Sequence, residues 1–199
     1  MEASDRLPAS THESTACACD RVPGAERIEG GGMTTAKVRT QIIGAAGEAL
    51  VTYKLLKHEI DSARMTTDAG VDLVMYIPGH SRAATIQVKA LWEPVPAGGK
   101  GPLALGWVFS PYCPADYLAV ADLSRYRAWL FTMTQAKCEA QQTPASGNWR
   151  IFWYPDGAVV SGNPRRESDM TEYRIETVLD GIKARQNVDP KSIAPEGVM

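Results

Sequence analysis

The amino-acid sequence predicts an α/β fold in which a central mixed β-sheet is flanked by helices. Three patterns predict this class: a long apolar helix in the first third of the chain, two successive β-hairpins in the middle, and an amphipathic helix near the C-terminus. The chain has 199 residues, enough for one domain with a proper core, and its 44% hydrophobic and 22% charged residues are ordinary for a globular protein. We expect one helix on each face of the sheet and a functional edge at the first hairpin.

The first element is a helix predicted over residues 34–60. Glu48 is the only charged residue in the middle of this segment, and it lies nearly opposite the main apolar stripe. A carboxylate between two apolar sides is expected to be partly buried, and it then needs a partner or a metal because a buried unpaired charge is costly. The alternative is a glutamate that reaches solvent or Thr52 from the edge of the buried stripe. The stripe predicted to be buried consists of Ile42, Ala46, Ala49, Leu50, Tyr53 and Ile60.

Two glycines, Gly44 and Gly47, lie in the same helix. Each weakens a helix by about 1 kcal/mol relative to alanine. Glycine is tolerated at such a position when another element packs closely against the helix, so we expect a close contact there.

The next two elements are predicted to form a hairpin. The β-forming run 71–77 ends at a Pro-Gly-His-Ser turn, and the run 83–91 then alternates between apolar and polar residues. A turn centred in the middle of that segment places Asp72 opposite Gln87, about 5 Å away at Cβ, with Lys89 as a diagonal neighbour at about 7–8 Å. The register matters, because a slip of one residue would move Asp72 to the other face.

The rest of the chain predicts a long loop followed by a second hairpin, two helices and a further strand. The loop, Trp92–Pro111, is rich in glycine and proline, and we expect its tryptophans to pack on the protein rather than to contact DNA. The remaining elements are the hairpin of Tyr117–Leu123 and Arg127–Met133, a short helix Thr134–Gln142 with Thr134 as its N-cap, a strand Trp149–Tyr154 and a helix from Met170 to about Arg185.

The polar face of the first hairpin carries the side chains that a magnesium site needs. Mg²⁺ prefers oxygen ligands, takes few of them from protein and keeps several waters. Asp72 supplies a carboxylate, Gln87 an amide oxygen and Val88 a main-chain carbonyl, and Glu48 could join them from the helix. Lys89 shares the face and could stabilise charge on a phosphate or orient the attacking water. On spacing alone, the solvated polar face of an ordinary antiparallel hairpin explains the pattern equally well.

Together these residues resemble the PD-(D/E)xK nuclease superfamily, which includes many restriction enzymes and archaeal Holliday-junction resolvases. The members most similar to this pattern have a GVDL-type aspartate motif and a QxK third motif, as in some Mrr-like and homing-endonuclease-like proteins. By this resemblance, Glu48 is the helix glutamate and Asp72 the metal-binding aspartate. Gln87 is then the variable acid or amide ligand, and Lys89 the lysine. The resemblance is carried by Gly47-Glu48, Asp68-Ala69-Gly70-Val71-Asp72-Leu73 and Gln87-Val88-Lys89, and spans about Ala36 to Met133.

The resemblance implies a restriction-endonuclease-like core, DNA as the partner, and Mg²⁺ as the cofactor, with Mn²⁺ as a substitute. Gln87 departs from the usual Glu or Asp, which removes one negative charge and should lower the metal affinity. Two functions therefore stay open. One is a Mg²⁺-dependent DNA endonuclease that hydrolyses phosphodiester bonds. The other is a catalytically inactive nuclease-like module that binds DNA or protein in a mobile element or defence system. A homodimer is compatible with either.

Composition divides the chain into three parts. Residues 1–33 lack periodicity and are predicted to be a disordered extension, residues 34–186 the nuclease-like domain, and residues 187–199 a flexible tail. The net charge of −2 is no evidence for nucleic-acid binding. The acidic excess lies in the extension, however, so the rest of the chain is nearly neutral and compatible with DNA.

The sequence also indicates a cytoplasmic protein. No stretch approaches the roughly 20 apolar residues of a membrane span, and the N-terminus lacks the pattern of a signal peptide. The four cysteines are not spaced as a zinc site, and we expect free thiols in a reducing compartment. They are Cys17, Cys19, Cys113 and Cys138.

Overall fold

The computed structural model of the chain describes residues 35–67, 70–144 and 147–186. The predicted extension 1–33 and tail 187–199 lie outside these ranges, so the three-part division of the chain stays a prediction. Cys17, Cys19 and the first two residues of the aspartate motif, Asp68 and Ala69, also lie outside the described residues.

Three α-helices and eight strands follow one another in the described ranges. The helices are α1 (Thr35–Lys57), α2 (Met133–Glu139) and α3 (Ile175–Gln186), and a 3-10 helix, Ser168–Tyr173, precedes α3. The strands are β1 (Asp61–Arg64), β2 (Leu73–Tyr76), β3 (Ala84–Leu91), β4 (Val95–Pro96), β5 (Leu103–Phe109), β6 (Tyr117–Asp122), β7 (Arg127–Thr132) and β8 (Trp149–Trp153).

A five-stranded mixed sheet forms the centre of the fold. Its strand order is β1-β2-β3-β6-β7, and β3 and β6 run parallel whereas the other neighbours are antiparallel. A second sheet of three antiparallel strands has the order β4-β5-β8. The predicted α/β class with a central mixed sheet is therefore confirmed. No helix in the described ranges is both long and apolar enough to cross a membrane.

The two faces of the central sheet bury two separate hydrophobic cores. One face is covered by α1 and α3, with Val51, Leu55, Ile86, Val88, Leu130, Ile175 and Leu179 among the buried residues. The other face is covered by the second sheet together with α2, and its core includes Leu105, Trp107, Phe109, Leu118, Trp129, Phe131 and Trp153. The prediction of a helix on each face was therefore incomplete, because a second sheet forms most of the second layer.

That second sheet is built partly from the segment Trp92–Pro111, which the sequence predicts to be a loop. Residues 103–109 instead form β5, which pairs with β8 from Leu105 opposite Trp153 to Phe109 opposite Trp149. Trp107 is buried, and its indole N–H donates a hydrogen bond to the carbonyl of Ala121 at 3.2 Å. The expectation that this tryptophan packs is confirmed, while Trp92 is largely exposed.

Helix α1 buries a different face from the one predicted. Val51 and Leu55 are fully buried, whereas Ile42 and Tyr53 of the predicted stripe are 56% and 60% exposed. Of the predicted stripe, Ile60 alone is fully buried, and it lies just beyond the helix. The helix is apolar on two sides, so hydrophobic periodicity could not choose between them.

The first hairpin has the predicted register. Leu73 pairs with Ile86 and Val74 with Thr85, which places Asp72 opposite Gln87. The second hairpin, the strand that begins at Trp149 and the C-terminal helix are also present, although a 3-10 turn delays the start of α3.

Helix α2 begins one residue earlier than predicted, and its N-cap is Thr132 rather than Thr134. The Thr132 hydroxyl accepts a hydrogen bond from the Gln135 N–H at 3.2 Å, and the Gln135 Oε1 accepts one from the Thr132 N–H at 2.8 Å. This reciprocal pair is a capping box, which satisfies two backbone donors at once.

Candidate active site

A cleft of about 590 Å³ opens at the end of the first hairpin. Strand β2 begins at Leu73, opposite Ile86, whereas β3 continues to Leu91. The cleft therefore lies where β2 no longer pairs with β3 and where α1 packs against β3. Its lining includes Glu48, Arg64, Asp72 and Lys89. Three of the four residues predicted from sequence thus line one cleft, although they come from α1, from the residue before β2 and from β3.

Asp72 is fixed by hydrogen bonds to the strands on both sides. Its N–H donates to the carbonyl of Ile86 at 2.9 Å, and its own carbonyl accepts from the N–H of Met65 at 2.9 Å. Its side-chain Oδ2 accepts from the N–H of Val88 at 2.6 Å. A carboxylate accepts through two oxygens, so Oδ1 can bind a cation while Oδ2 keeps this bond.

The position of Glu48 depends on the glycine before it. A Cβ added to Gly47 would lie 2.5 Å from the Cβ of Ala90, closer than side chains can approach. The absence of a side chain therefore lets α1 pack against β3, as expected, and brings Glu48 to the cleft. Gly44, one turn earlier, also lines the cleft, but a Cβ there would meet no described heavy atom within 4 Å.

Arg64 is a cleft residue that the sequence analysis missed. Its Nε donates to the Glu48 Oε2 at 2.6 Å, and its side chain is 65% exposed against 17% for Glu48. Burial raises the pKa of Glu48, the Arg64 guanidinium lowers it, and the nearby Asp72 carboxylate raises it again, so that the net shift is upward. A single basic residue ahead of the aspartate motif gave no pattern from which this contact could be predicted.

Gln87 is buried beside the cleft rather than lining it. Its side chain is only 7% exposed, and its Oε1 has no hydrogen-bond partner among the described residues. A buried acceptor without a partner costs about 1–3 kcal/mol. A cation bound next to Asp72, which lies opposite Gln87 in the strand register, could satisfy this oxygen.

The donor atoms suit a hard divalent cation. Carboxylate oxygens come from Asp72 and Glu48 and an amide oxygen from Gln87, which are the ligand types that Mg²⁺ takes. The Val88 N–H points towards Asp72, and its carbonyl points to the same edge of β3 because both groups of a strand residue face one neighbour. In the described ranges no group of three or more His, Cys, Asp or Glu side chains could hold a metal. A metal here would therefore depend on amide and main-chain oxygens as well as on the two carboxylates.

A second charged cluster, called here the Glu167 cluster, lies away from the cleft, and the sequence analysis missed it too. It consists of Asp122, Arg125, Arg127, Glu167 and Arg174. Glu167 accepts from Arg125 at 2.7 Å and also from Arg127, with Arg174 at 3.6 Å. Asp122, fully buried, accepts from Arg125 at 2.5 Å through Oδ2 and from the Ser124 hydroxyl through Oδ1. All four carboxylate oxygens of this cluster have partners, which indicates a structural role.

Comparisons with known proteins gave matches at the level of structure. No family model matches the chain, and no curated protein matches it by sequence. The chain is similar to a bacterial homing endonuclease, I-Ssp6803I, with 15% identity and a TM-score of 0.49 over 74% of this chain and 96% of that one. It is also similar to Hjc, a Holliday junction resolvase from Archaeoglobus fulgidus, with 18% identity and a TM-score of 0.38 over 54% of this chain and 82% of that one.

Proposed function

We propose that this protein is a divalent-metal-dependent endonuclease that hydrolyses phosphodiester bonds in DNA. One observation carries the proposal. Glu48, Asp72 and Lys89 are distant in sequence but line the same cleft, and the buried Gln87 oxygen beside it has no partner in the part of the chain that the structure describes. A merely solvated hairpin face would not require either feature.

Asp72 and Gln87 are the proposed principal metal ligands, with the Val88 carbonyl as a third. Glu48 binds the same ion, a second one or a metal-bound water. Mg²⁺ is the proposed cofactor and Mn²⁺ its substitute. When bound, such an ion polarises a phosphoryl oxygen and acidifies a coordinated water.

Lys89 acts on the phosphate rather than on the metal. It lies two residues beyond Gln87 on β3, and the strand register makes it a diagonal neighbour of Asp72. Its ammonium stabilises the negative charge that develops on the phosphate or orients the attacking water. The site thus combines metal ligands on one side of the cleft with a cation that faces the substrate.

A cleavage assay tests this proposal. Plasmid DNA and branched DNA are incubated with the protein in Mg²⁺, in Mn²⁺ and in EDTA. We expect cleavage with either metal and none in EDTA, and we expect Asp72→Asn and Lys89→Ala to abolish cleavage while circular dichroism stays unchanged. Asp61→Asn is the matched control, because Asp61 is an exposed carboxylate on β1 whose Oδ1 also accepts a backbone N–H, from Ser62 at 2.8 Å. Full cleavage by Asp72→Asn would refute the role of that carboxylate.

The second candidate is the inactive module that binds DNA or protein. Two observations favour it: Gln87 is neutral where a carboxylate would strengthen metal binding, and Arg64 already occupies an oxygen of Glu48. DNA binding without cleavage in every metal would support this candidate over the endonuclease.

Assembly and compartment are further parts of the proposal. Cutting both strands of a duplex takes two hydrolytic events, which a homodimer with two clefts would supply, and light scattering measures the mass in solution. The free thiols of Cys113 and Cys138 fit a reducing, cytoplasmic compartment.

A further inference from the structure

Arg64 has a backbone held in β1 and a side chain that is largely exposed. It is the last residue of β1, where it pairs with Leu73, the residue after Asp72. Its Nε contacts Glu48 at 2.6 Å, yet its side chain is 65% exposed. Most of the Arg64 side chain therefore faces solvent at the cleft, beside the residues assigned to metal and phosphate.

The guanidinium has more donors than this contact uses. Arginine carries five N–H donors in a planar fork that matches the oxygens of a phosphate. Its hydrogen bonds to phosphate are charge-assisted and often bidentate. A DNA strand that brings its phosphate to Lys89 would pass within the same cleft as Arg64.

Arg64 and a metal ion compete for the same carboxylate. Among the described residues, the charged groups that line the cleft are two carboxylates, Glu48 and Asp72, and two cations, Arg64 and Lys89. A divalent cation that binds Glu48 meets the positive charge of Arg64 at short range, and the two repel each other. Because Gln87 contributes no charge to offset this repulsion, metal binding favours a position of the arginine farther from Glu48.

We propose that Arg64 exchanges partners, binding Glu48 in the metal-free cleft and a DNA phosphate once a divalent cation is bound. The exchange rests on the proposed function and deepens it, because it couples metal loading to DNA binding. In this exchange Arg64 binds a phosphate only after its contact with Glu48 has been broken. An arginine that merely ties β1 to α1 would show no such coupling.

Two opposite changes in affinity distinguish the exchange from a structural ion pair. In Arg64→Gln, we expect Mn²⁺, measured by the electron paramagnetic resonance signal of the free ion, to bind about three- to tenfold more tightly, because a competitor and a repelling charge are removed. We expect a labelled DNA duplex, measured by fluorescence anisotropy in Ca²⁺, to bind more weakly. The dependence of log affinity on log salt should fall by about one, as for one lost phosphate contact.

Arg82→Gln is the matched control. Arg82 is 74% exposed and pairs with one carboxylate, Asp116, at 2.7 Å, but it does not line the cleft. We expect its Mn²⁺ affinity and salt dependence to equal those of the wild type. Arg64→Lys, which keeps the charge but loses the fork, should bind DNA with a normal salt dependence and reduced affinity.

A second set of variants tests the role of Glu48 without metal. In EDTA, Glu48→Gln should bind DNA more tightly than the wild type because it frees Arg64, and the gain should vanish in the double variant with Arg64→Gln. If Arg64→Gln matches Arg82→Gln in both affinities, or binds Mn²⁺ more weakly, the exchange is wrong while the proposed function stands on wild-type binding and cleavage. If the wild type binds neither Mn²⁺ nor DNA, the proposed function and the exchange both fail.

Discussion

Two clusters of charged side chains in this protein differ in whether their buried oxygens have partners, although a buried nitrogen of the first cluster, Arg125 Nη2, has none among the described residues. In the Glu167 cluster, two buried carboxylates are surrounded by arginines, and each carboxylate oxygen has a partner. Beside the cleft, Gln87 has a buried oxygen without a partner among the described residues, and within the cleft the Arg64 side chain is mostly exposed. Each carboxylate oxygen of the first cluster already has a partner, whereas the cleft keeps the Asp72 Oδ1 that can bind a cation, with the Gln87 oxygen beside it. The comparison indicates that charge density alone does not mark a site in this fold. The proposed site rests instead on a buried oxygen without a described partner that lies next to a cleft.

The largest effect on stability is expected from a substitution in the Glu167 cluster. Glu167→Gln keeps the shape of the side chain but leaves Arg125, Arg127 and Arg174 without their shared negative charge. We expect the free energy of unfolding to fall by about 3 kcal/mol, as when one partner of a buried ion pair is removed. Urea denaturation measures this change. A loss similar to that of an exposed pair would contradict the structural role of the cluster.

The next effect concerns the contact that brings Glu48 to the cleft. Gly47→Ala should lower the free energy of unfolding by about 1–3 kcal/mol, because its Cβ would overlap that of Ala90 and force α1 away from β3. Gly44→Ala is the matched control on the same helix, and it should raise stability by up to about 1 kcal/mol through helix propensity. Thermal unfolding of both variants checks the prediction. Equal shifts in the two variants would mean that α1 does not approach β3 so closely.

A small effect on stability is expected when Arg64 of the cleft is replaced. Arg64→Gln should change the free energy of unfolding by less than about 1 kcal/mol, because the pair with Glu48 is exposed on the arginine side. The same denaturation experiment compares it directly with Glu167→Gln. A loss as large as that of Glu167→Gln would make Arg64 a structural residue and weaken the contrast between the two clusters.

The smallest effect is expected from an exposed pair that lies outside both clusters. The Arg82 guanidinium, with hydrogen bonds from Thr85, lowers the pKa of Asp116 from 3.8 to about 2. A carboxyl whose pKa is lower in the folded state adds stability above its unfolded pKa, and this stability is lost as the pH falls towards the folded pKa. Between pH 4 and pH 2 the wild type should therefore lose slightly more stability than Arg82→Gln, by less than about 1 kcal/mol. Parallel acid titrations followed by circular dichroism test this, and identical curves would contradict the assignment.

Local patterns were sufficient to predict the first hairpin and its register. The alternation of residues 83–91 predicted which side chains share a face, and a turn assumed to be centred between Gly79 and His80 gave the register, with which the pairing of Leu73 with Ile86 agrees. The same patterns could not choose the buried face of α1, because both sides are apolar. They also concealed β5, since its glycine and the prolines around it are typical of loops.

The ion pairs that the sequence analysis missed could not be predicted for a different reason. Arg64 meets Glu48, and Arg125 meets Glu167, only after the chain has folded, and neither arginine belongs to a local motif. Ion pairs between distant residues are consequences of topology and leave no periodic signal in the sequence. The predicted roles of Glu48, Asp72, Gln87, Val88 and Lys89 stay predictions until the variants are measured.

The place of β3 inside the sheet has a consequence for how the cleft behaves over time. The strand is paired with β6 from Ile86 to Leu91, whereas its pairing with β2 ends at Ile86, and beyond that point the Val88 N–H is held by the Asp72 side chain. Backbone amides at such interior positions exchange with deuterium mainly through global opening, whereas those at frayed ends exchange early. The amides of Gln87 and Lys89, which face β6, should therefore be among the slowest of the molecule, so this stretch of β3 becomes ordered during folding and not when a ligand binds.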